Sequence, residues 1–221
     1  MGAFGEVGAH TSVSFSWAAL LAAFAYLLGA VPFALILGLW KGVDIRKVGS
    51  GNIGSTNLSR VLGRKWGIPA FLLDFLKGLI PVLIAGWLPE SEPGARRVAA
   101  EHAAMAAALA AVLGHIFPVY LQLRGGKGVA TAFGALTGLV WPASLAAGAV
   151  WGALFLATRT VSIASLAAAC TFPLGTILYF RTAPSAVAVP MDLLSAAVCA
   201  LIVARHRSNI RRLLRGEEGR F

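Results

Sequence analysis

Gly49, Gly51 and Gly54 stand in the spacing G-x-G-x-x-G within KVGSGNIGSTNLSR, residues 47 to 60, interleaved with Ser50, Ser55, Thr56 and Asn57. Glycines so placed let a backbone approach a ligand closely and turn its N–H groups inward. The hydroxyls and the amide add short donors, and Arg60 supplies a guanidinium that can fork onto a phosphate. Three further stretches lean the same way. Gly125-Gly126-Lys127-Gly128 joins glycines to an ammonium group, and Arg159 to Ser165 carries Ser162 and Ser165 on one helix face. Arg205 to Glu218 carries six arginines (through Arg220) and sets His206 and Asn209 three residues apart. Charge-assisted hydrogen bonds contribute roughly 1.5–3 kcal/mol each, so three or four converging on one phosphate make a specific site.

Each stretch also has a plainer reading. The first is compatible with an interfacial turn, the second with a flexible turn beside a snorkelling lysine. Serines in membrane helices often serve close packing, and arginines beyond a span can be anchors alone. The convergence of all four on one surface is what favours an anion site.

The elements that must carry these loops are membrane spans. The 221 residues are 58% hydrophobic and 13% charged, with mean hydropathy +0.78. The charged share is about half that of a soluble domain. Lys and Arg total 19 against 9 acids. In a soluble protein that excess would suggest nucleic acid; between long apolar runs it suggests a membrane surface and an anionic substrate, with no nucleic-acid partner. A spanning helix needs about 20 apolar residues. Phe15 to Trp40, Ile68 to Leu88, Val98 to Leu121, Val161 to Phe180 and Val187 to Ala204 each supply one. Val129 to Thr158 is too long for one span, and Trp141-Pro142 in its middle predicts two short helices. The expectation is an all-α integral membrane protein with about seven transmembrane helices, forming a single domain over residues 1–221. The early apolar run is too long for a cleavable leader, and the first thirteen residues hold no Lys or Arg. Cys170 and Cys199 lie inside apolar stretches and read as packing residues.

With seven spans, Lys41 to Lys65, Arg124, Lys127, Arg159 and the arginines from Arg205 all fall on one side. The other side holds Arg96, Arg97 and Arg181, offset by Glu90 and Glu92. The positive-inside rule then puts the N-terminus outside and the C-terminus in the cytoplasm. The opening loop follows a membrane helix, not a buried strand, so its glycine spacing is no dinucleotide fingerprint. Nor is the second loop a Walker A motif, since Gly128 follows Lys127 where Ser or Thr is required.

Together SGNIGSTNLSR, GHIFPVYLQLRGGKGVAT, RTVSIASL and RHRSNIRRLLRGEE resemble the bacterial acyl-phosphate:glycerol-3-phosphate acyltransferases of the PlsY type, in order and over nearly the whole chain. The resemblance implies transfer of a fatty acyl group from acyl phosphate to the 1-hydroxyl of glycerol 3-phosphate at the inner membrane, giving lysophosphatidic acid and inorganic phosphate. It implies no metal or organic cofactor, and membrane lipid as surroundings; the oligomeric state is left open. The rival acyltransferase signature H-x-x-x-x-D is absent, since Phe15, Ala107, Tyr120 and Arg211 stand five residues beyond His10, His102, His115 and His206.

Carried onto this chain, the resemblance makes Ser50 and Arg60 ligands of glycerol 3-phosphate. Gly54, Ser55, Thr56 and Asn57, with Gly125, Gly126 and Lys127, form the donor's phosphate pocket, which Ser165 extends. Ser55 stands where many relatives have alanine. His206 and Asn209 position the acceptor, Glu218 completes their motif structurally, and the catalytic roles fall to His206 and Ser50. His206 is either a general base or an orienting hydrogen-bond partner, and a substrate phosphate could take the proton instead. Asp74 and Lys77, inside a span at i, i+3, read as a pair tying helices together rather than as part of the chemistry. A transporter of organic phosphates is the rival class; it requires a polar path, and the first, fifth and seventh spans offer almost nothing polar beyond Ser144 and Ser195.

Overall fold

A computed structural model of the chain describes residues 3–87 and 93–221, with side chains for residues 17–87 and 98–221. Glu90 and Glu92, and the side chains of Arg96, Arg97 and His10, therefore lie outside the described residues. The described residues form ten α-helices and no strand. These are α1 (Ala3–Ala30), α2 (Phe33–Trp40), α3 (Ser55–Leu62), α4 (Arg64–Ala85), α5 (Pro93–Ile116), α6 (Val129–Leu139), α7 (Trp141–Thr158), α8 (Val161–Thr182), α9 (Ala188–Arg205) and α10 (Arg207–Leu214).

Six segments are long and apolar enough to cross a membrane: Trp17–Trp40, Arg64–Ala85, Val98–Leu121, Trp141–Thr158, Val161–Thr182 and Ala188–Arg205. The apolar run from Val129 does divide in two, at Val140, where Pro142 can occupy only the first turn of the next helix. Its first half, α6, has 11 residues and spans about 16 Å, little more than half of a bilayer core of about 30 Å. The first apolar run is also divided. Pro32 disfavours helix at Val31, so the chain breaks there and resumes as α2.

α5 lies at the centre, with 56% of its span buried against 17–39% for the other five. Its alanines make that position available. Ala103, Ala107, Ala108 and Ala111 are each at most 2% exposed, so neighbouring backbones come close. At Gly29 of α1 a methyl group would collide with the Ala111 carbonyl, and at Gly114 of α5 with that of Tyr26. Gly78 on α4 and Gly134 on α6 meet the carbonyls of Thr131 and Phe75 in the same way, which seats short α6 against α4.

Where α1 breaks, the Val31 carbonyl loses its helical partner. The Lys77 ammonium donates to it at 2.7 Å and lies 2.7 Å from the Asp74 carboxylate. Both ionic side chains are at most 3% exposed. The i, i+3 pair thus ties α4 to the junction of α1 and α2, as its spacing suggested.

A second, smaller core lies under the segment between α2 and α3. Ile45, Ile53 and Leu58 pack there with Ala34, Leu35 and Ala70. This core fixes the glycine loop to the helical bundle.

Candidate active site

The loop from Ile45 to Gly54 is organised around one buried side chain. Asn57, 1% exposed, donates to the carbonyls of Ile45 (2.8 Å) and Val48 (3.2 Å) and accepts from the Ser50 amide (2.9 Å). Its side chain is spent on the loop, so its part is to position Ser50. Gly49, at φ +61°, passes so close to Asn57 Oδ1 that a Cβ would collide. Glycine is required there for both reasons.

Beyond this loop Gly54 leads into α3 in an extended conformation, without a side-chain cap. The amides of Ser55 and Thr56 therefore head a helix with no partner among the described residues. At such a terminus unpaired N–H groups and the helix dipole favour an anion. α6 begins likewise after Gly128, at φ +80°, and α8 begins at Val161. Ser55, Val129 and Val161 all line one cavity, so three helix N-termini meet there. Ser50, Gly54, Thr56, Asn57, Arg60, Lys127, Ser165, His206 and Asn209 join them. Every expected site residue except Gly125 and Gly126 lines this cavity.

The two glycines have another task. Their amides donate to the carbonyls of Ile116 (3.2 Å) and His115 (3.1 Å), at the end of α5, and so are not offered to an anion. A Cβ on Gly125 would collide with the His115 carbonyl, and one on Gly126 with the His115 ring. The pair allows the loop to dock on α5, with Lys127 then carried into the cavity. Arg205 holds the loop from the other side, donating to the carbonyls of Gly125 (2.9 Å) and Gly126 (3.2 Å).

Among the described residues Lys127 makes no hydrogen bond or ion pair, so its ammonium is unspent there. Burial above all lowers its pKa from the ordinary lysine value to about 8; the charges of Arg212, Arg60 and Arg205 act the same way, and Glu218 opposes them. Arg60 spends one arm on the Gly219 carbonyl (3.0 Å).

His206 and Asn209 flank the other side. The Nδ1 of His206 lies 2.8 Å from the Ile202 carbonyl. That contact places the proton on Nδ1 of the neutral ring and leaves Nε2 an acceptor. Burial, then the Lys127 charge, lowers the imidazole pKa to about 4, so the ring is neutral at pH 7. Asn209 donates its Nδ2 to Glu218 Oε1, and its Oδ1 is buried with no hydrogen-bond partner among the described residues. A buried amide oxygen left open inside a cavity is an acceptor prepared for a hydroxyl or an N–H.

Glu218 organises this corner. It accepts from Ser162 Oγ (2.8 Å), Asn209 Nδ2 and Arg212 Nε (2.7 Å). Burial pushes its pKa up, but these three donors outweigh burial and hold the carboxyl below the usual range. The last residues then cross the site: Phe221 donates its amide to the Arg159 carbonyl (2.7 Å), and its ring lies 5.7 Å from the Arg60 guanidinium.

Deeper in the bundle the lining changes character. Asp74 and His115 reach the cavity from α4 and α5, and Thr131 Oγ1 lies 3.0 Å from His115 Nδ1. Phe71, Val129, Trp151 and Ser165 then form the wall shared with a second cavity, almost wholly apolar, between α6, α7, α8 and α9. Trp151 Nε1 donates to Ser165 Oγ (3.2 Å) at this threshold. An anion-binding vestibule therefore opens onto a lipid-like interior.

Sequence reasoning did not single out Asn52, Phe71, Trp151 or Arg205. Nothing in sequence separates a lining aromatic from a lipid-facing one. Arg205 had a faint signal: it is the first of its basic run, directly beside His206 and still inside the apolar pattern.

Comparison with known proteins agrees with this geometry. The family described as glycerol-3-phosphate acyltransferase matches residues 19–216. The chain is 45% identical to a glycerol-3-phosphate acyltransferase of Anaeromyxobacter sp. (strain Fw109-5), over 91% of this chain and 95% of the relative. It is 48% identical to that of Myxococcus xanthus (strain DK1622), over 89% and 95%. Two solved structures of PlsY, an integral membrane glycerol 3-phosphate acyltransferase, are similar in fold. The glycerol 3-phosphate form aligns with a TM-score of 0.80 at 42% identity, covering 92% of this chain and 95% of that one. The lysophosphatidic acid form aligns at 0.77 and 41%, with the same coverage.

Proposed function

The chain belongs to the glycerol-3-phosphate acyltransferase family, and we propose that its donor is an acyl phosphate, its acceptor glycerol 3-phosphate and its products lysophosphatidic acid and inorganic phosphate. One observation carries this reading: the polar vestibule and the apolar cavity share the wall formed by Phe71, Val129, Trp151 and Ser165. A molecule that is phosphate at one end and hydrocarbon at the other fits across that wall with its carbonyl carbon at the boundary.

In this reading the donor's phosphate takes the helix starts at Ser55 and Val129, with Lys127 beside them. Arg60 and Ser50 hold the phosphate of glycerol 3-phosphate. His206 Nε2 and Asn209 Oδ1 accept from the glycerol hydroxyls and aim one oxygen at the acyl carbon. That oxygen attacks the carbonyl, a carbon–oxygen ester bond forms, and the carbon–oxygen bond to phosphate breaks with its electron pair leaving on phosphate. The cationic and amide donors stabilise this departing charge, so alignment and anion stabilisation do most of the work and no acyl-enzyme is needed. The hydroxyl proton passes to phosphate, whose second pKa is about 6, in preference to an imidazole with a pKa of about 4. His206 is thus an orienting acceptor.

The whole chain acts as one membrane domain. We place the site end of the bundle in the cytoplasm, the N-terminus outside, and α6 with α7 as the short fourth and fifth crossings of a bacterial inner membrane. The basic residues Lys41, Lys65, Arg124, Arg159 and Arg207 on the connections at that end support this orientation.

The test is turnover by purified protein in lipid or detergent, supplied with palmitoyl phosphate and glycerol 3-phosphate. Phosphate and lysophosphatidic acid must appear in step, and palmitoyl-CoA must not substitute. Phosphate release without the acceptor, or no lysophosphatidic acid from folded protein, would refute the assignment.

A further inference from the structure

The apolar cavity has a floor. α4 contributes Phe71 at the entrance, and on the other four helices that wall the cavity the deepest lining residue is Leu136 on α6, Ala147 on α7, Phe172 on α8 and Ser195 on α9. Phe172 lies eleven residues into α8, about 16 Å below the start of that helix, and Ser195 lies ten residues before the end of α9, about 15 Å deep. The helices close together at this level. A methyl group on Gly175, three residues beyond Phe172, would come 3.0 Å from Ala143 Cβ on α7. The Thr176 and Ser195 hydroxyls meet across α8 and α9 at 3.2 Å, and Ser195 Oγ also donates to the Asp192 carbonyl at 2.8 Å. Phe172 and Leu136, 3% and 6% exposed, fill the space above this seal.

We propose that Phe172, supported by Leu136, sets the acyl-chain length that this enzyme accepts. This rests on the reading that the donor's chain enters the cavity past Trp151 and Ser165. Each methylene that passes from water into such a cavity raises kcat/KM by up to about fourfold, the usual gain for a buried CH2, and by less where the chain starts in lipid or detergent. Once the chain end reaches the Phe172 ring, further methylenes must bend, displace the ring or leave the cavity, and the gain stops. Ser195 is a poorer candidate for this control, because its side chain is small and its hydroxyl is already engaged.

The experiment is a kcat/KM series over saturated acyl phosphates of increasing, even chain length, for wild type, Phe172→Ala and Ala147→Leu. Wild type should climb and then reach a plateau. Phe172→Ala deepens the cavity, so its plateau begins at longer chains. Ala147 is 4% exposed and lines the same floor, so Ala147→Leu fills it and the plateau begins at shorter chains. Butanoyl phosphate, with four carbons, stops short of Phe172, which lies seven residues or about 10 Å beyond Ser165 on α8, so all three should use it equally. Thermal unfolding in detergent shows separately that the variants are folded. A plateau at the same length in all three proteins, or the absence of one in wild type, overturns the floor. If wild type uses no acyl phosphate of any length, the donor assignment itself has failed, an outcome distinct from an unmoved plateau.

Discussion

Arg205 Nη2 lies 2.9 Å from the carbonyl oxygen of Gly125, eighty residues away in sequence, with its Nε 3.2 Å from the Gly126 carbonyl. One guanidinium thereby joins the end of α9, which carries His206, to the loop that carries Lys127. The planar fork suits two neighbouring carbonyls, and an ammonium group cannot reproduce it.

Arg205→Lys therefore keeps the charge but loses the clamp. Hydrogen bonds to charged groups are worth roughly 1.5–3 kcal/mol. With one of two lost, kcat/KM for acyl phosphate should fall about ten- to a hundredfold. KM for glycerol 3-phosphate should change much less, because Ser50 and Arg60 are held by other contacts. Steady-state kinetics with each substrate varied in turn checks this; equal losses for both would mean a general loss of structure.

Lys127 should give activity an alkaline limit. Its pKa of about 8 means that it is charged below pH 8 and neutral above. In the proposed reading its ammonium holds the donor's phosphate, so kcat/KM for acyl phosphate should fall as pH rises through about 8, tenfold per pH unit. Lys127→Arg stays charged across that range and should lack this limb, even with lower peak activity. Titration of the substrates is common to both proteins, so the comparison isolates Lys127. A wild-type profile flat to pH 9.5 would remove Lys127 from phosphate binding.

The spans were legible because about 20 apolar residues leave few alternatives. Pro69, Pro81 and Pro173 lie inside helices, but the break at Val140 was legible because an apolar run of 30 residues must divide and Pro142 favours the first turn of a helix. The same chemistry applied at Pro32, where the apolar run simply hid it. Arg205 does not stand out from the other arginines of its run, since an arginine gripping carbonyls and one facing headgroups look alike in sequence. Gly125 and Gly126 were expected to face an anion. Their amides instead cap α5, a partnership between residues nine and eleven apart that depends on how the intervening turn folds.

Asn57 illustrates the same limit, since a polar residue in a glycine loop reads as a ligand yet here holds the loop itself. Asn57→Asp keeps the acceptor for the Ser50 amide and replaces the donor to the carbonyls of Ile45 and Val48 with a buried carboxylate oxygen facing them. Leaving such groups unsatisfied costs about 1–3 kcal/mol, more when charge is involved. KM for glycerol 3-phosphate should rise at least tenfold, through displacement of Ser50, and melting in detergent should occur at lower temperature. An unchanged KM would show that the loop keeps its shape without Asn57.

The Asp74–Lys77 pair separates stability from chemistry. Asp74→Ala strands the Lys77 ammonium in the bundle, with only the Val31 carbonyl for a partner. Breaking one side of a buried pair costs about 3–5 kcal/mol, whereas replacing both partners with apolar residues of similar size is often neutral. Thermal unfolding in detergent should therefore rank Asp74→Ala as much less stable than the double substitution Asp74→Leu, Lys77→Met. The double variant does not restore the Val31 carbonyl, so it should recover most of the loss but not all. Asp74 also lines the vestibule, its Oδ1 3.9 Å from His115 Nδ1, and activity tells the two roles apart. If the pair serves only to join α4 to the α1–α2 junction, the double variant regains turnover along with stability. A stable but inactive double variant would instead make the Asp74 carboxylate part of the reaction.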